Sequence, residues 1–371
     1  MSREQIERVL FEKKGDIIEE KILNIGIDTG FGYKVSYWDN GKLIIPSLCK
    51  EISKREALEQ SKRIKEENIK NGKQLIVRYK YLEEGLYNSV ILNEKYFYVG
   101  DITLEKDTKA KRVLTTKRVG NLKHLIQILS LIGIATDEED INVNLSVGLP
   151  VKMNGEAQAL KKWLAGKFEI SFLCEGKEII RKINIEHVEV LPQALAPVFS
   201  LEEYIGKKIV SVDLGHYTND MCFWTGRSKR EYLDYCEDGF HIYYNEMRKM
   251  LLNDTNIIEV TTTISEKDIQ EALENGVVNL INGENDVEYH REKILKDYSI
   301  RLVEEIVTMY ETIFDDIDFI LISGGVIENN SFINTFMKEI EKYRMKILMP
   351  DEPQLAVAKG LYNLVCKKYN N

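Results

Sequence analysis

An aspartate followed by a glycine turn occurs twice in the sequence, each time where an apolar run ends and the chain reverses. In "NIGIDTGFGYKV" Asp28 precedes Gly30, and in "VSVDLGHYTND" Asp213 precedes Gly215 and Thr218. Glycines let backbone amides approach an anion, and a carboxylate can hold a hydrated Mg²⁺ beside phosphates. Each turn alone also fits an ordinary hairpin, but the pair predicts that Asp28 and Asp213 bracket a Mg²⁺–polyphosphate.

The two aspartates lie about half the chain apart. Repeats of a solenoid protein are much shorter than this spacing. The sequence therefore predicts two related halves that face each other, with one turn contributed by each half.

Two further segments carry residue types that suit a nucleotide. In "FILISGGV" an apolar run ends in Ser323, Gly324 and Gly325, where bare backbone could lie against a base or a ribose. Gln193 follows Pro192, and a glutamine can orient an attacking water in phosphoryl transfer. Strand-to-helix turns often contain glycine, and helix capping explains Gln193 equally well, so neither segment decides the function alone.

Composition limits the class of protein. A length of 371 residues predicts two domains, and 44% hydrophobic with 30% charged residues is ordinary for a soluble globular chain. The charged N-terminus lacks a signal core, and "LKHLIQILSLIGIA" is too short to span a bilayer. We therefore expect a cytoplasmic protein without a membrane partner. Its five cysteines lack metal-ligand spacing, and a net charge of -9 argues against direct DNA binding over the whole surface.

Short β-branched runs alternate with amphipathic stretches along most of the chain, which is typical of α/β architecture. Strands are predicted at 22–28, 32–38 and 41–45, after a helix over residues 1–20. The stretch "LYNSVILNEKYFYVGD" predicts a hairpin that turns at Asn93–Glu94.

Five motifs, taken in their order along the chain, resemble those of the actin-like ATPases. Within that family they resemble the bacterial plasmid-segregation filament proteins of the ParM type. "GIDTGFGYKV" and "VDLGHYTND" are similar to the two phosphate loops, and "ILISGGV" to the adenosine motif. "VLPQALAP" and "PQLAVAKGLYN" are similar to the two connecting segments. The resemblance extends over roughly residues 22–367.

The resemblance implies an α/β fold of two actin-like domains, each with a ribonuclease H-like core, around a central nucleotide cleft. A helical extension over 1–20 would precede domain I, residues 21–190, which the C-terminal helix 348–371 would complete. Domain II would comprise residues 191–347.

The resemblance also implies the site. Asp28 and Asp213 would hold Mg²⁺ through waters, and Gln193 would align the attacking water. The other residues implied to bind ATP, with GTP left open, are Thr29, Gly30, Phe31, Gly32, Lys34, Gly215, His216, Tyr217, Thr218, Asp220, Ser323, Gly324 and Gly325.

Three features depart from the family pattern, and one of them is the helical extension before residue 21. Lys34 follows Asp28 by six residues, whereas the family usually has its lysine after seven. A hairpin shorter by one residue turns that side chain to the other face of the sheet. His216 and Tyr217 replace the small residues that are common in the second loop, which predicts an altered approach of that loop to phosphate.

The function implied is an ATP-dependent filament that hydrolyses ATP and segregates plasmid DNA. Self-association would build the filament, and a DNA-binding adaptor would attach the DNA indirectly. The alternatives are an actin-like filament without a segregation role, a non-polymerising ATPase or sugar kinase of the same fold, and a nucleotide-binding scaffold whose hydrolysis is vestigial.

Overall fold

The computed structural model describes residues 21–84, 90–107, 117–201, 204–226, 230–236, 239–254, 264–280, 283–328 and 330–369. The helix predicted over residues 1–20 lies outside these ranges.

A nine-stranded mixed sheet occupies the first half of the chain, in the order β3-β2-β1-β7-β9-β8-β5-β6-β4. The strands are β1 Ile22–Asp28, β2 Tyr33–Trp38, β3 Gly41–Pro46, β4 Cys49–Ile52, β5 Leu75–Glu84, β6 Val90–Val99, β7 Asp140–Leu149, β8 Gly166–Cys174 and β9 Lys177–Pro192. At its centre, β1 pairs antiparallel with β2 and parallel with β7.

A five-stranded sheet occupies the second half, in the order β12-β11-β10-β15-β16. Its strands are β10 Ile209–Leu214, β11 Asn219–Trp224, β12 Arg230–Cys236, β15 Phe319–Ser323 and β16 Ile347–Leu348. Here β10 pairs antiparallel with β11 and parallel with β15, which repeats the arrangement around β1. A small hairpin joins β13 Val277–Leu280 to β14 Gly283–Asp286.

Helices cover these sheets. The α-helices are α1 Lys54–Ser61, α2 Glu66–Lys70, α3 Asp101–Lys106, α4 Leu122–Ile134, α5 Ala157–Leu164, α6 His241–Asn253, α7 Glu266–Asn275, α8 Glu288–Tyr310, α9 Asn330–Ile340 and α10 Ala356–Tyr369. Every residue of β10 and of β15 is buried, as expected for central strands that are covered on both faces.

The C-terminal helix α10 links the two halves of the chain. It packs on β1 and on the 3₁₀ helix Ala196–Ser200, which lies between the two sheets. Gly26 permits the close approach to β1, because a Cβ at that position would lie 2.2 Å from the Ala358 carbonyl oxygen. The helix therefore lies where the two sheets join.

One predicted turn is wrong. Asn93 and Glu94 lie inside β6, opposite Tyr81 and Lys80 of β5. β5 ends at Glu84 and β6 begins at Val90, so the chain reverses several residues earlier than predicted. Strand-like alternation continues through Asn93–Glu94, and the backbone pairing with β5 outweighs the local turn preference of these two residues.

Among the described residues, no helix combines the length and the apolar character needed to cross a membrane.

Candidate functional site

The two glycine turns face each other across a cavity of about 510 Å³. Asp28 and Gly30 line one side of it, and Asp213, Gly215 and Thr218 line the other. Because β1 and β10 are equivalent central strands, each turn stands at the carboxyl end of its strand and opens into the same space. The volume lies in the range of pockets that bind small molecules.

Most residues predicted for the site line this cavity. Those that do are Asp28, Gly30, Phe31, Gly32, Gln193, Asp213, Gly215, His216, Tyr217, Thr218, Asp220, Gly324 and Gly325. Three predicted residues, Thr29, Lys34 and Ser323, are fully buried behind the lining instead.

Lys34 lies outside the cavity lining, although the resemblance implies that it contacts phosphate. Its ammonium group lies beneath the first loop and donates to the carbonyl oxygens of Thr29 at 3.1 Å and Gly30 at 2.7 Å, and to Ser47 Oγ at 2.9 Å. An ammonium has three protons, so these three acceptors use all of its donors. Burial and the nearby Arg118 lower the Lys34 pKa well below its ordinary value, and Asp28 opposes that shift. In this structure Lys34 supports the loop from behind.

Thr29 and Ser323 also support the loops. The Thr29 hydroxyl donates to the carbonyl oxygen of Gly148 at 2.6 Å, which ties the first loop to β7. The Ser323 hydroxyl lies 3.2 Å from Asp213 Oδ1 and can donate to it. Both hydroxyls thus fix residues that do line the cavity.

The second loop gathers carboxylates. Asp213 and Asp220 are directly opposed on β10 and β11, and both are buried. Burial, followed by repulsion from Asp28 and Asp220, raises the pKa of Asp213 well above its ordinary value. Burial raises the pKa of Asp220 to about 7, and Asp28 adds to that shift. Carboxylates placed so close together favour the arrival of a cation.

In the first loop, neighbouring groups partly offset the cost of burying the Asp28 carboxylate. Burial raises the pKa of Asp28, whereas the Gln193 hydrogen bond, Lys34 and Arg118 oppose that shift. The Gln193 side-chain amide and the Gly30 backbone amide both donate to Asp28 Oδ1, the latter at 3.1 Å.

Gln193 reaches the cavity from the crossing between the sheets. It follows β9 directly, and its backbone amide donates to the Leu149 carbonyl oxygen at 2.9 Å. A second link is close by, since the Val151 amide donates to Asp220 Oδ1 at 3.3 Å. The crossing segment thus holds Gln193 beside Asp28, and Val151, which follows β7, links the first sheet to Asp220 of the second.

The far end of the cavity includes both predicted and unpredicted residues. Gly324 has φ +109°, and a Cβ there would lie 2.4 Å from the Leu214 carbonyl oxygen, so only glycine fits. The lining residues that sequence reasoning missed are Tyr33, Val35, Ile44, Leu214, Phe240, Tyr244, Leu273, Glu274, Val326, Glu328 and Gln354. Five of these, Tyr33, Val35, Leu214, Val326 and Gln354, lie inside the five motifs, and the other six lie in segments without a motif.

A metal site made of protein ligands alone is not found in the part of the chain that the structure describes. There, no group of three or more His, Cys, Asp or Glu side chains is arranged to hold an ion. Mg²⁺ commonly keeps several waters and binds one or two carboxylates together with substrate phosphates. Asp28 and Asp213, whose like charges repel, fit that second kind of site.

Comparison with known proteins agrees with the motifs. Residues 26–195 match the family model described as the N-terminal domain of actin-like proteins. No curated protein sequence matches the chain.

Solved structures extend the comparison to both sheets. Actin-like protein Alp7A is 16% identical over 93% of this chain and 96% of its own, with a TM-score of 0.71. A 15-stranded ParM filament from Clostridium botulinum is 17% identical over 94% and 99%, with a TM-score of 0.71. Bacillus thuringiensis ParM with ATP is 18% identical over 95% and 100%, with a TM-score of 0.65.

These findings establish the fold that the motifs suggested. The chain has the two-domain actin-like fold, and it is similar to the actin-like proteins ParM and Alp7A.

Proposed function

We propose that the protein is an actin-like filament protein that binds and hydrolyses ATP. The observation that carries this proposal is the pair of glycine loops, each with its aspartate, on opposite sides of one cavity. Bacillus thuringiensis ParM, which shares the fold, was solved with ATP.

The phosphates would lie between the loops, where the glycines keep side chains out of the way. The nucleoside would extend toward Gly324 and Gly325, which line the cavity beside Gln354. Asp28 and Asp213 would hold Mg²⁺ through its waters, and when bound the ion would neutralise phosphate charge. The clustered carboxylates of the second loop fit such a cation, because it would relieve the repulsion that raises their pKa values.

Gln193 would align the attacking water. Its amide nitrogen donates to Asp28, which fixes the side chain and leaves its carbonyl oxygen free to accept a hydrogen bond from the attacking water. The residue is almost fully buried yet lines the cavity, so it can act where bulk water is excluded. Catalysis would then rest on water placement and charge stabilisation, without a covalent intermediate.

Self-association would build the filament. The similar ParM of Clostridium botulinum was solved as a 15-stranded filament. Head-to-tail contacts that do not close into a ring produce a polymer. ATP would favour assembly and hydrolysis would favour disassembly, since nucleotide contacts both halves of the cleft.

The cellular role we propose is plasmid segregation in the cytoplasm. It is supported by the resemblance of the motifs to segregation filaments. The net charge of -9 favours indirect attachment of DNA through a basic DNA-binding adaptor over direct binding.

The test follows phosphate release and right-angle light scattering together after Mg-ATP is added to the purified protein. Wild type should scatter more light and then less as phosphate is released. Gln193→Ala should bind ATP but release phosphate about 100-fold more slowly, because water alignment is lost. Gln158→Ala, on the exposed face of α5, is the matched control and should behave as wild type.

Two outcomes would contradict parts of this proposal. Phosphate release with flat scattering would indicate a non-polymerising ATPase or kinase of the same fold. Unchanged turnover in Gln193→Ala would show that another group aligns the water.

A further inference from the structure

Phe31 touches one residue of the opposite loop and one residue behind its own loop. Its ring meets the Tyr217 ring edge-to-face, with centroids 5.9 Å apart and planes at 77°. The Arg118 guanidinium carbon lies 4.3 Å from the centroid of the same ring. Phe31 belongs to the first loop and Tyr217 to the second, so the aromatic pair joins the two loops across the cavity that both residues line.

Tyr217 is anchored to the second sheet. Its ring lies 4.7 Å from that of His241, the first residue of α6, and its carbonyl oxygen accepts from the Gly239 amide at 3.3 Å. The neighbouring His216 ring packs against Tyr244 of the same helix. Tyr217 should therefore move with the second sheet, and its contact with Phe31 resists separation of the two halves.

Arg118 is an unusual neighbour for a phenylalanine. It is fully buried, and within the described part of the chain its Nε and Nη2 atoms have no hydrogen-bond partner. Its Nη1 lies 3.5 Å from His124 Nδ1, at the limit of a hydrogen bond. A buried cation with unbonded donors is costly, and the face of an aromatic ring offers compensation that grows as water is excluded. The contact with the Phe31 ring thus stabilises the buried Arg118 guanidinium and fixes the position of the ring.

We propose that Phe31 and Tyr217 form a latch that keeps the two loops together and slows nucleotide exchange, with Arg118 as the positioning residue that orients Phe31. This inference rests on the proposed function, because the latch acts on a nucleotide bound between the loops. It adds a regulatory element that neither loop forms alone, because each loop contributes one ring of the pair.

Ordinary packing would explain the same contacts, and a double-mutant cycle separates the two explanations. If the contact is a latch, Phe31→Leu and Tyr217→Leu remove the same interaction. The increase in dissociation rate of the double variant should then be smaller than the product of the increases in the two single variants. Independent packing defects would multiply.

The experiment measures dissociation of a fluorescent ATP analogue, in Mg²⁺, after a chase with excess ATP. We expect each single variant to dissociate about threefold to tenfold faster than wild type, the range for one aromatic pair. The double variant should be no faster than the faster single variant. Arg118→Met should reproduce the effect, and Arg118→Lys should restore a rate near wild type, since an ammonium also binds a ring face.

The control cycle pairs Phe31→Leu with Tyr204→Leu, whose ring packs on Phe199 and Trp224 outside the cavity. These two substitutions should act independently. Thermal unfolding of the nucleotide-free variants gives a second cycle, in which the Phe31–Tyr217 pair should again show coupling.

The possible failures are distinguishable. Wild-type binding with multiplicative effects, or with dissociation unchanged in the single variants, would overturn the latch and leave the proposed function standing. Absence of analogue binding to wild type would overturn the proposed function and the latch together.

Discussion

The two loop hairpins share a backbone design and differ in charge. In both, a central strand that runs parallel to one neighbour turns back antiparallel to the next. Val35 stands opposite Asp28 in the first hairpin, whereas Asp220 stands opposite Asp213 in the second. Lys34 and Arg118 counter the burial of Asp28, but Asp213 is further disfavoured as an anion by Asp28 and Asp220.

This difference in charge indicates that the two loops have different roles in the site. The first loop is a charge-balanced support, built to hold its shape without a ligand. The second loop concentrates buried carboxylates, whose mutual repulsion either protonation or an added cation can relieve. The two hairpins thus share the backbone geometry of a site and differ in electrostatics.

Replacing Lys34 should damage the first loop most. Lys34→Met leaves two loop carbonyls without their donor and Asp28 with less compensation. Loss of one partner from a buried charged network costs about 3 kcal/mol or more. Urea unfolding should show this loss, while Lys42→Met, on an exposed lysine of β3, should change stability by less than about 0.5 kcal/mol. Equal losses would mean that Lys34 does not support the loop.

Neutralising the second loop should affect activity more than folding. Asp213→Asn should reduce phosphate release about 100-fold, the size expected for losing one charge-stabilising group. It should not destabilise the nucleotide-free protein, because it removes a carboxylate whose charged form is disfavoured by burial and by two neighbours. Asp297→Asn, on the exposed face of α8, is the control for both measurements. Full activity in Asp213→Asn would refute the role of the second loop.

Asp220 should make the nucleotide-free protein less stable as pH rises. Its pKa is about 7 in the folded protein against an ordinary value of 3.8, so between these values the folded state binds more protons than the unfolded state. Stability from this group is present below pH 4 and is lost as pH rises to 7. The free energy of unfolding of Asp220→Asn should therefore exceed that of wild type by about 4 kcal/mol at pH 8 and lie close to it at pH 4. A constant difference at all pH values would exclude titration of Asp220 as the cause.

His124, which lies behind the first loop, should make the protein less stable as pH falls, which is opposite to the effect of Asp220. Burial, Arg118 and Lys34 lower its pKa well below the ordinary 6.5, so it stays neutral in the fold but takes up a proton when unfolded. This contribution is present above pH 6.5 and is lost progressively as the pH falls below that value. His124→Gln should flatten the acid side of the stability profile, as urea unfolding between pH 7 and 5.5 would show. An unaltered slope would place the acid sensitivity elsewhere.

Local pattern was enough to predict the two hairpins. The strand predicted at 22–28 is β1, and the strands predicted at 32–38 and 41–45 differ from β2 and β3 by one residue. Apolar runs that end in Asp and Gly define both the strand and its turn, so little tertiary information is needed.

Residues behind the loops were beyond such reasoning. Arg118 precedes α4 and His124 lies in its first turn, and both are far in sequence from Asp28. Only the packing of that helix places them beside the first loop. The resemblance implied that Lys34 contacts phosphate. In the structure its ammonium group lies under the loop and donates to Ser47 and to two backbone carbonyl oxygens. A motif records residue types and spacing but not the direction of a side chain.

In the function we propose, both loops hold one Mg²⁺-nucleotide between them. The decisive measurement is a crystal structure of the protein with Mg²⁺ and a non-hydrolysable ATP analogue. We predict that the phosphates lie between Gly30 and Gly215, with Mg²⁺ waters bound to Asp28 and Asp213. A nucleotide bound elsewhere, or phosphates that touch only one of the two loops, would contradict the account.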